Sequence, residues 1–166
     1  MNDPVKYIVM TASDSGSKGL REDISGQIII DVLDGMGFSR VDKVILSDSK
    51  SEIANYLSLK CDNKEADIII TTGGTGFTVR DITPEATLSI GERMVPGISE
   101  ALRWEGLKKT PHAMLSRGVS VIRKQTLIVN LPGGPKAVRE GMEVLSKILV
   151  HAVDTLRSVH GVECGN

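Results

Sequence analysis

Asp67-Ile68-Ile69-Ile70-Thr71-Thr72-Gly73-Gly74-Thr75-Gly76-Phe77-Thr78-Val79-Arg80-Asp81-Ile82-Thr83-Pro84-Glu85-Ala86 decides how this chain folds. The apolar run from Asp67 to Thr71 predicts a buried strand. It opens onto a glycine loop whose bare backbone amides allow close approach of an anion. One cation and one carboxylate follow, Arg80 and Asp81. Thr83-Pro84-Glu85 then predicts a helix start, with Thr83 as N-cap, Pro84 at the first helical position and Glu85 in the first turn. Strand, glycine loop and helix N-terminus in that order form a phosphate-binding arrangement. The loop lacks the Gly-Lys-Ser/Thr ending of a P-loop, and its glycine spacing differs from the dinucleotide fingerprint. Each part also has a plain structural reading: Gly73-Gly74 as a turn, Thr83-Pro84-Glu85 as a cap, and Arg80 with Asp81 as a surface ion pair.

Outward from this stretch, strands alternate with helices. Strands are predicted at Lys6–Thr11, Val41–Leu46 and Asp67–Thr71, with helices over Asp23–Met36, Ser49–Leu59 and Pro84–Ile90. Ser13–Gly19 reads as a polar loop. Pro96-Gly97 opens a helix running to about Leu107, and His112–Arg117 reads as a short helix. Val119–Ile122 and Thr126–Asn130 predict two short strands joined by a tight antiparallel turn. Leu131-Pro132-Gly133-Gly134-Pro135 is a second glycine loop, opening one helix from Lys136 to about Val159, with a loose tail from Gly161 to Asn166. This alternation predicts an α/β fold, a mainly parallel sheet covered on both faces, with a short antiparallel hairpin near residues 119–130. Ligands in such sheets sit beyond the carboxyl ends of the strands, where Thr11–Lys18, Ser47–Ser49, Thr72–Asp81 and Leu131–Lys136 emerge.

The chain has 166 residues, suited to one domain over 1–166, with no repeats and no linker. Hydrophobic residues make up 40% but aromatics only 3%, so the core must rest on Ile, Val, Leu and Met. A net charge of -1 argues against bulk attraction to nucleic acid or an anionic membrane. Met1-Asn2-Asp3-Pro4 does not resemble a signal peptide, and no apolar run reaches about 18 residues. Cys61 and Cys164 lie far apart, as expected for reduced thiols in a cytoplasm.

Asp48, in Ser47-Asp48-Ser49, either caps the following helix or, if Ser49 takes that role, is free. It could then share a divalent cation with Asp81, since Mg²⁺ is commonly held by carboxylates and substrate phosphates. His112, His151 and His160 have no transition-metal spacing. Among Lys18, Arg21, Arg80, Arg117 and Lys136, the last stands out, at a helix N-terminus after a glycine loop.

Thr72-Gly73-Gly74-Thr75-Gly76 with Arg80-Asp81-Ile82-Thr83-Pro84-Glu85 resembles the signature of the molybdenum-cofactor biosynthesis proteins of the MogA/MoaB type. Ala113-Met114-Leu115-Ser116-Arg117 and the run from Ile122 to Val138 look most like the molybdopterin adenylyltransferase branch. The resemblance covers about Tyr7 to Leu156. It implies a three-layer α/β/α sandwich, usually trimeric, and Mg²⁺- and ATP-dependent adenylylation of molybdopterin. It places the functional, metal-holding aspartates on Asp48 and Asp81. It puts substrate contacts on Ser13, Asp14, Thr72, Gly73, Gly74, Thr75, Gly76, Arg80, Ser116, Pro132, Gly133, Gly134 and Lys136. The family commonly has Pro-Asp-Glu or Pro-Asp-Asp where this chain has Ser47-Asp48-Ser49. The chain is too short for a molybdate-inserting domain, so the resemblance also implies transient contact with a separate protein for that step.

The chemistry agrees with the resemblance. Joining two phosphate-bearing anions needs charge neutralisation and positioning, and no activated Ser, Cys or His nucleophile. Three other readings stay open: a MoaB-type paralogue of different role, a pyrophosphatase-like hydrolase of nucleotide derivatives, and a catalytically silent molybdopterin-binding or scaffolding module.

Overall fold

The computed structural model describes residues 3–158. Six strands form one sheet: β1 (Lys6–Ala12), β2 (Ser39–Leu46), β3 (Ile68–Thr72), β4 (Arg93–Met94), β5 (Ser120–Arg123) and β6 (Thr126–Leu131). Their order is β2-β1-β3-β6-β5-β4. β2, β1, β3 and β6 are mutually parallel, whereas β5 runs antiparallel to β6 and to β4. Ile68, Ile69 and Ile70 are fully buried in the middle of the sheet, where β-branched side chains suit a strand covered on both faces.

The helices are α1 (Asp14–Ser17), α2 (Ile24–Gly35), α3 (Lys50–Asp62), α4 (Thr83–Ile90), α5 (Pro96–Leu107), α6 (Pro135–Leu145) and α7 (Leu149–Arg157). Leu33 of α2, Met142 of α6 and Val153 of α7 pack with Val9 and Ile70 on one face. Ile53 and Leu57 of α3 and Ala86 of α4 pack with Ile8 and Ile69 on the other. The result is the expected three-layer α/β/α sandwich.

Register aligns the carboxyl ends of the parallel strands. Ala12 pairs with Leu46, Thr11 with Thr72, and Thr72 with Leu131. The loops that begin at Ser13, Ser47, Gly73 and Pro132 therefore leave one rim side by side.

Three local expectations are corrected, and two local details are added. Ser13–Gly19 is not all loop: the Ser13 side chain accepts from the Gly16 N–H and caps the single turn α1. Buried apolar positions of α2 are Ile28, Ile29, Ile30 and Leu33, while Ile24, at its first turn, is 49% exposed. Strand β4 is too short to carry a sequence pattern. The N-cap of α4 is Ile82, without a side-chain cap bond; Thr83 lies inside the helix and is fully buried. The last helix is two. Ile148 donates its N–H to the Leu145 carbonyl, three residues back, and this tightened turn keeps Leu145, Leu149 and Val153 all buried. Val159, His160, Cys164 and the tail from Gly161 lie outside the described residues.

Candidate active site

The first glycine loop is held close to β1. Gly73 and Gly74 have φ of +90° and +65°, backbone that favours glycine. A Cβ on Gly73 would collide with the Ala12 carbonyl oxygen. The second glycine loop lies directly against the first. Gly73 donates its N–H to the Leu131 carbonyl at 3.2 Å, and the Thr72 hydroxyl donates to the Pro132 carbonyl at 2.7 Å. A Cβ on Gly133 would stand 3.3 Å from the Gly73 Cα. The Ser25 hydroxyl, at the start of α2, fixes the second loop by donating to the Gly133 carbonyl at 2.7 Å.

Beyond Gly74 the loop is shaped by Arg117. Its main-chain N–H bonds the Thr75 carbonyl at 3.0 Å. Its guanidinium donates to the carbonyls of Gly76, at 2.7 Å, and Asp81, at 2.6 Å, and pairs with Glu85. That hydrogen-bonded pair holds the Glu85 carboxyl below its usual range and raises Arg117. The Asp81 carboxylate accepts from the Thr78 N–H at 2.9 Å and the Thr78 hydroxyl at 2.8 Å. No hydrogen bond within the described residues engages the N–H groups of Gly74, Thr75 and Gly76. They remain donors for an anion.

Ser49 caps α3 by accepting from the Glu52 N–H, so Asp48 has no capping role. Asp48 instead faces Asp14. The Asp14 N–H donates to Asp48 Oδ2 at 3.1 Å, and the Asp48 N–H donates to Asp14 Oδ1 at 3.0 Å. Arg80 pairs with Asp14, not with its neighbour Asp81, which corrects the plain reading of Arg80-Asp81. The Asp48 N–H bond and the Arg80 guanidinium hold Asp14 below the usual carboxylate range. Burial pushes the Asp48 carboxyl up, helped by the charges of Asp14 and Asp81 and opposed by the Asp14 N–H and Arg80. At the position with unusual flanks, Ser47 donates its hydroxyl to Glu52, one turn into α3.

Two hollows flank the contact between the loops. The larger, about 440 Å³, is lined by Gly74, Gly76, Asp81, Ser116, Pro132 and Gly133, with apolar walls from α5 and α6. The smaller, about 310 Å³, is lined by Ser13, Arg21, Thr72, Gly73, Gly133 and Gly134. Both glycine loops thus contribute to both hollows, rather than each loop to its own part of one pocket. Lys136 is exposed at the start of α6 and lines neither. Arg80, 62% exposed, reaches the site through Asp14.

At Gly74 the loop packs closely against Thr83. A Cβ there would strike Thr83 Oγ1 and come within 3.4 Å of Asp48 Oδ1. Thr83 Oγ1 is buried with no hydrogen-bond partner. Among the described residues no three His, Cys, Asp or Glu side chains are grouped to hold a metal by themselves. Asp48 lies beside Gly74 and Asp81 beside Gly76, and two carboxylates along one glycine loop suit a hard cation such as Mg²⁺, which takes its other ligands from water and phosphate.

Sequence reasoning missed three of these residues. Arg117 lay in the quoted Ser116-Arg117 motif but was read as one surface cation among several. Thr83 was read as a cap. Asn130 is buried at the wall of the larger hollow, bonding the hydroxyls of Thr71 and Thr87 and the Val119 N–H, and it had no local signal.

Residues 8–151 match the family described as "Probable molybdopterin binding domain". A molybdopterin adenylyltransferase of Helicobacter pylori is 41% identical over 150 residues, covering 89% of this chain and 85% of its own. The molybdopterin biosynthesis Mog protein from Mycobacterium ulcerans superimposes with a TM-score of 0.87 at 36% identity, over 93% of this chain and 98% of its own. The molybdopterin biosynthesis enzyme MoaB from a Thermus species superimposes with a TM-score of 0.86 at 42% identity, over 92% of this chain and 96% of its own.

Proposed function

We propose, from the premise that this chain belongs to the molybdopterin-binding domain family, that it is a molybdopterin adenylyltransferase, a nucleotidyltransferase of molybdenum-cofactor biosynthesis. An oxygen of the pterin's terminal phosphate attacks the α-phosphorus of ATP. The bond from that phosphorus to the bridging oxygen breaks, and pyrophosphate leaves with the electron pair. The observation that carries this reading is a glycine loop with free N–H groups that lines the larger hollow and carries two carboxylates, Asp48 beside Gly74 and Asp81 beside Gly76.

Asp48 and Asp81 would hold Mg²⁺, which when bound neutralises phosphate charge. The N–H groups of Gly74, Thr75 and Gly76 bind phosphate oxygens from a fixed loop, so little reorganisation accompanies reaction. Arg117 keeps that loop in shape through its bonds to Gly76 and Asp81. The two hollows give pterin and nucleotide separate places on one rim, so the phosphates meet at the loops; proximity of this kind is a large part of phosphoryl-transfer catalysis.

The finer features belong to the same proposal. The domain is taken to span 1–166 and to act as a homotrimer in the cytoplasm, passing its product to a separate molybdate-inserting protein. Trp104, Met114 and Leu115, all exposed on α5 and the turn after it, supply an apolar surface for subunit contact. No helix among the described residues is long and apolar enough to cross a membrane. A MoaB-type role is the second reading, favoured by the likeness to the Thermus protein. Incubation with molybdopterin, Mg²⁺ and ATP separates the two: adenylylated pterin supports the first, and pterin binding without product supports the second.

A further inference from the structure

Arg103 lies on α5, half-buried, on the helix face it shares with Ser99 and Leu102, while its neighbour Trp104 is exposed. Residues three and four apart on a helix are neighbours, and all three line the larger hollow. Among the described residues that line it, Arg103 is the only lysine or arginine. Its Nη1 donates to the Gly118 carbonyl at 3.0 Å and to the Ser116 carbonyl at 3.4 Å. These bonds fix the guanidinium against the segment whose Arg117 N–H holds the Thr75 carbonyl of the first glycine loop. Among the described residues no carboxylate pairs with Arg103, and no acceptor engages its Nε or Nη2. The other arginines beside that loop differ: Arg80 pairs with Asp14, and Arg117 with Glu85. Of the acids that share the hollow, Glu105 pairs with Lys108, and Asp81 accepts from Thr78. A solvated surface arginine keeps its rotamer freedom; Arg103 is held by two main-chain carbonyls and still has half its fork unused.

Resting on the adenylyltransferase reading above, we infer that Arg103 binds a phosphate of the substrate seated in the larger hollow. Nη1 stays on the carbonyls of Ser116 and Gly118, and Nε and Nη2 take phosphate oxygens, a planar fork that suits this anion. The N–H groups of Gly74, Thr75 and Gly76 offer the anion partial charges only. Arg103 supplies the one formal positive charge that the protein brings to this hollow, which Asp81, Glu105 and Glu140 otherwise make acidic. Its place on apolar-walled α5, away from both glycine loops in sequence, is why no local motif announces it. The phosphate is either the terminal one of the pterin or one of the nucleotide; the chemistry is the same, and titration with each ligand tells them apart.

The test compares wild type, Arg103→Gln and Arg103→Lys. Glutamine keeps an N–H donor for the Gly118 carbonyl and deletes the charge; lysine keeps the charge and deletes the fork. Thermal unfolding first establishes that each variant is folded. Calorimetric titrations then use four probes: molybdopterin, Mg²⁺-ATP, and their phosphate-free counterparts, dephosphorylated molybdopterin and adenosine. Arg103→Gln is expected to bind one or both phosphorylated ligands on the order of tenfold more weakly, and to bind the phosphate-free ligands as wild type does. Loss for molybdopterin alone assigns the phosphate to the pterin, and loss for Mg²⁺-ATP alone assigns it to the nucleotide. Arg103→Lys is expected to fall between wild type and Arg103→Gln, and it decides the comparison should Arg103→Gln not fold. Wild-type affinity for both phosphorylated ligands in the folded variants overturns the inference. So does equal weakening for a ligand and its phosphate-free counterpart, which would make the role of Arg103 one of shaping the wall. Failure of the wild type itself to bind either phosphorylated ligand would instead remove the adenylyltransferase reading, and this inference with it.

Discussion

Asp14 and Asp48 each donate a main-chain N–H to the other's carboxylate, at 3.1 and 3.0 Å. The exchange locks the loop after β1 to the loop after β2. It also holds the Asp48 carboxylate half-buried beside a like charge, a strained state that a cation would relieve. Asp48→Asn keeps an acceptor for the Asp14 N–H and deletes the charge. The variant is expected to melt at the same or higher temperature at neutral pH, while Mg²⁺-dependent turnover falls on the order of a hundredfold. Paired melting curves and steady-state assays check this; lower stability together with unchanged turnover would make Asp48 structural.

The Arg117–Glu85 pair gives a pH dependence. Arg117 depresses the Glu85 carboxyl, so the pair's stability is present above the ordinary glutamate range and is lost as pH falls through the depressed value. Both side chains are more than a third exposed or close to it, so the pair contributes at most about 1 kcal/mol. Glu85→Gln should be less stable than wild type at pH 7, and the difference should shrink to nothing on acidification. Urea titrations across that range measure it. A difference that persists in acid would assign Glu85 a role other than its charge.

Asp81 and the first glycine loop were legible because their signal is local: a strand, a bare loop, a carboxylate and a helix start within twenty consecutive residues; the second loop shows the same strand, glycines and helix start without the carboxylate. The Asp14–Asp48 exchange was not, because it depends on β1 and β2 being neighbours with aligned ends, a property of the sheet and not of either segment. Thr83 was misread because Thr-Pro-Glu is a sound cap by composition, yet tertiary contact with Gly74 drew it one position into the helix. The break between α6 and α7 has neither glycine nor proline to announce it. Ser49 was legible as a competitor for the cap of α3, and its taking that cap is what leaves Asp48 free.

The contact between Gly73 and Gly133 bears on which loop serves which ligand. Gly74→Val meets both positive φ and Thr83, and should abolish Mg²⁺-ATP binding. Gly133→Val meets only the neighbouring Gly73 Cα, but it stands where both hollows meet and should weaken molybdopterin and Mg²⁺-ATP together. Separate calorimetric titrations of folded variants decide. If both variants lost nucleotide alone and kept full pterin affinity, the second loop would belong to a nucleotide-only site.

A homotrimer is expected in solution. Light scattering of the wild type should give three times the chain mass, and Trp104→Glu with Met114→Glu should shift it to the monomer. A stable monomer or dimer of the wild type would remove that part of the account.

Adenylyl transfer itself is the central claim. Wild type, molybdopterin, Mg²⁺ and ATP are incubated, and pterin products and pyrophosphate are quantified together. Equal amounts of adenylylated pterin and pyrophosphate are predicted, with Asp81→Asn folded and slower on the order of a thousandfold. Bound pterin without product, release of AMP in the absence of pterin, or near-normal turnover by Asp81→Asn would contradict the account.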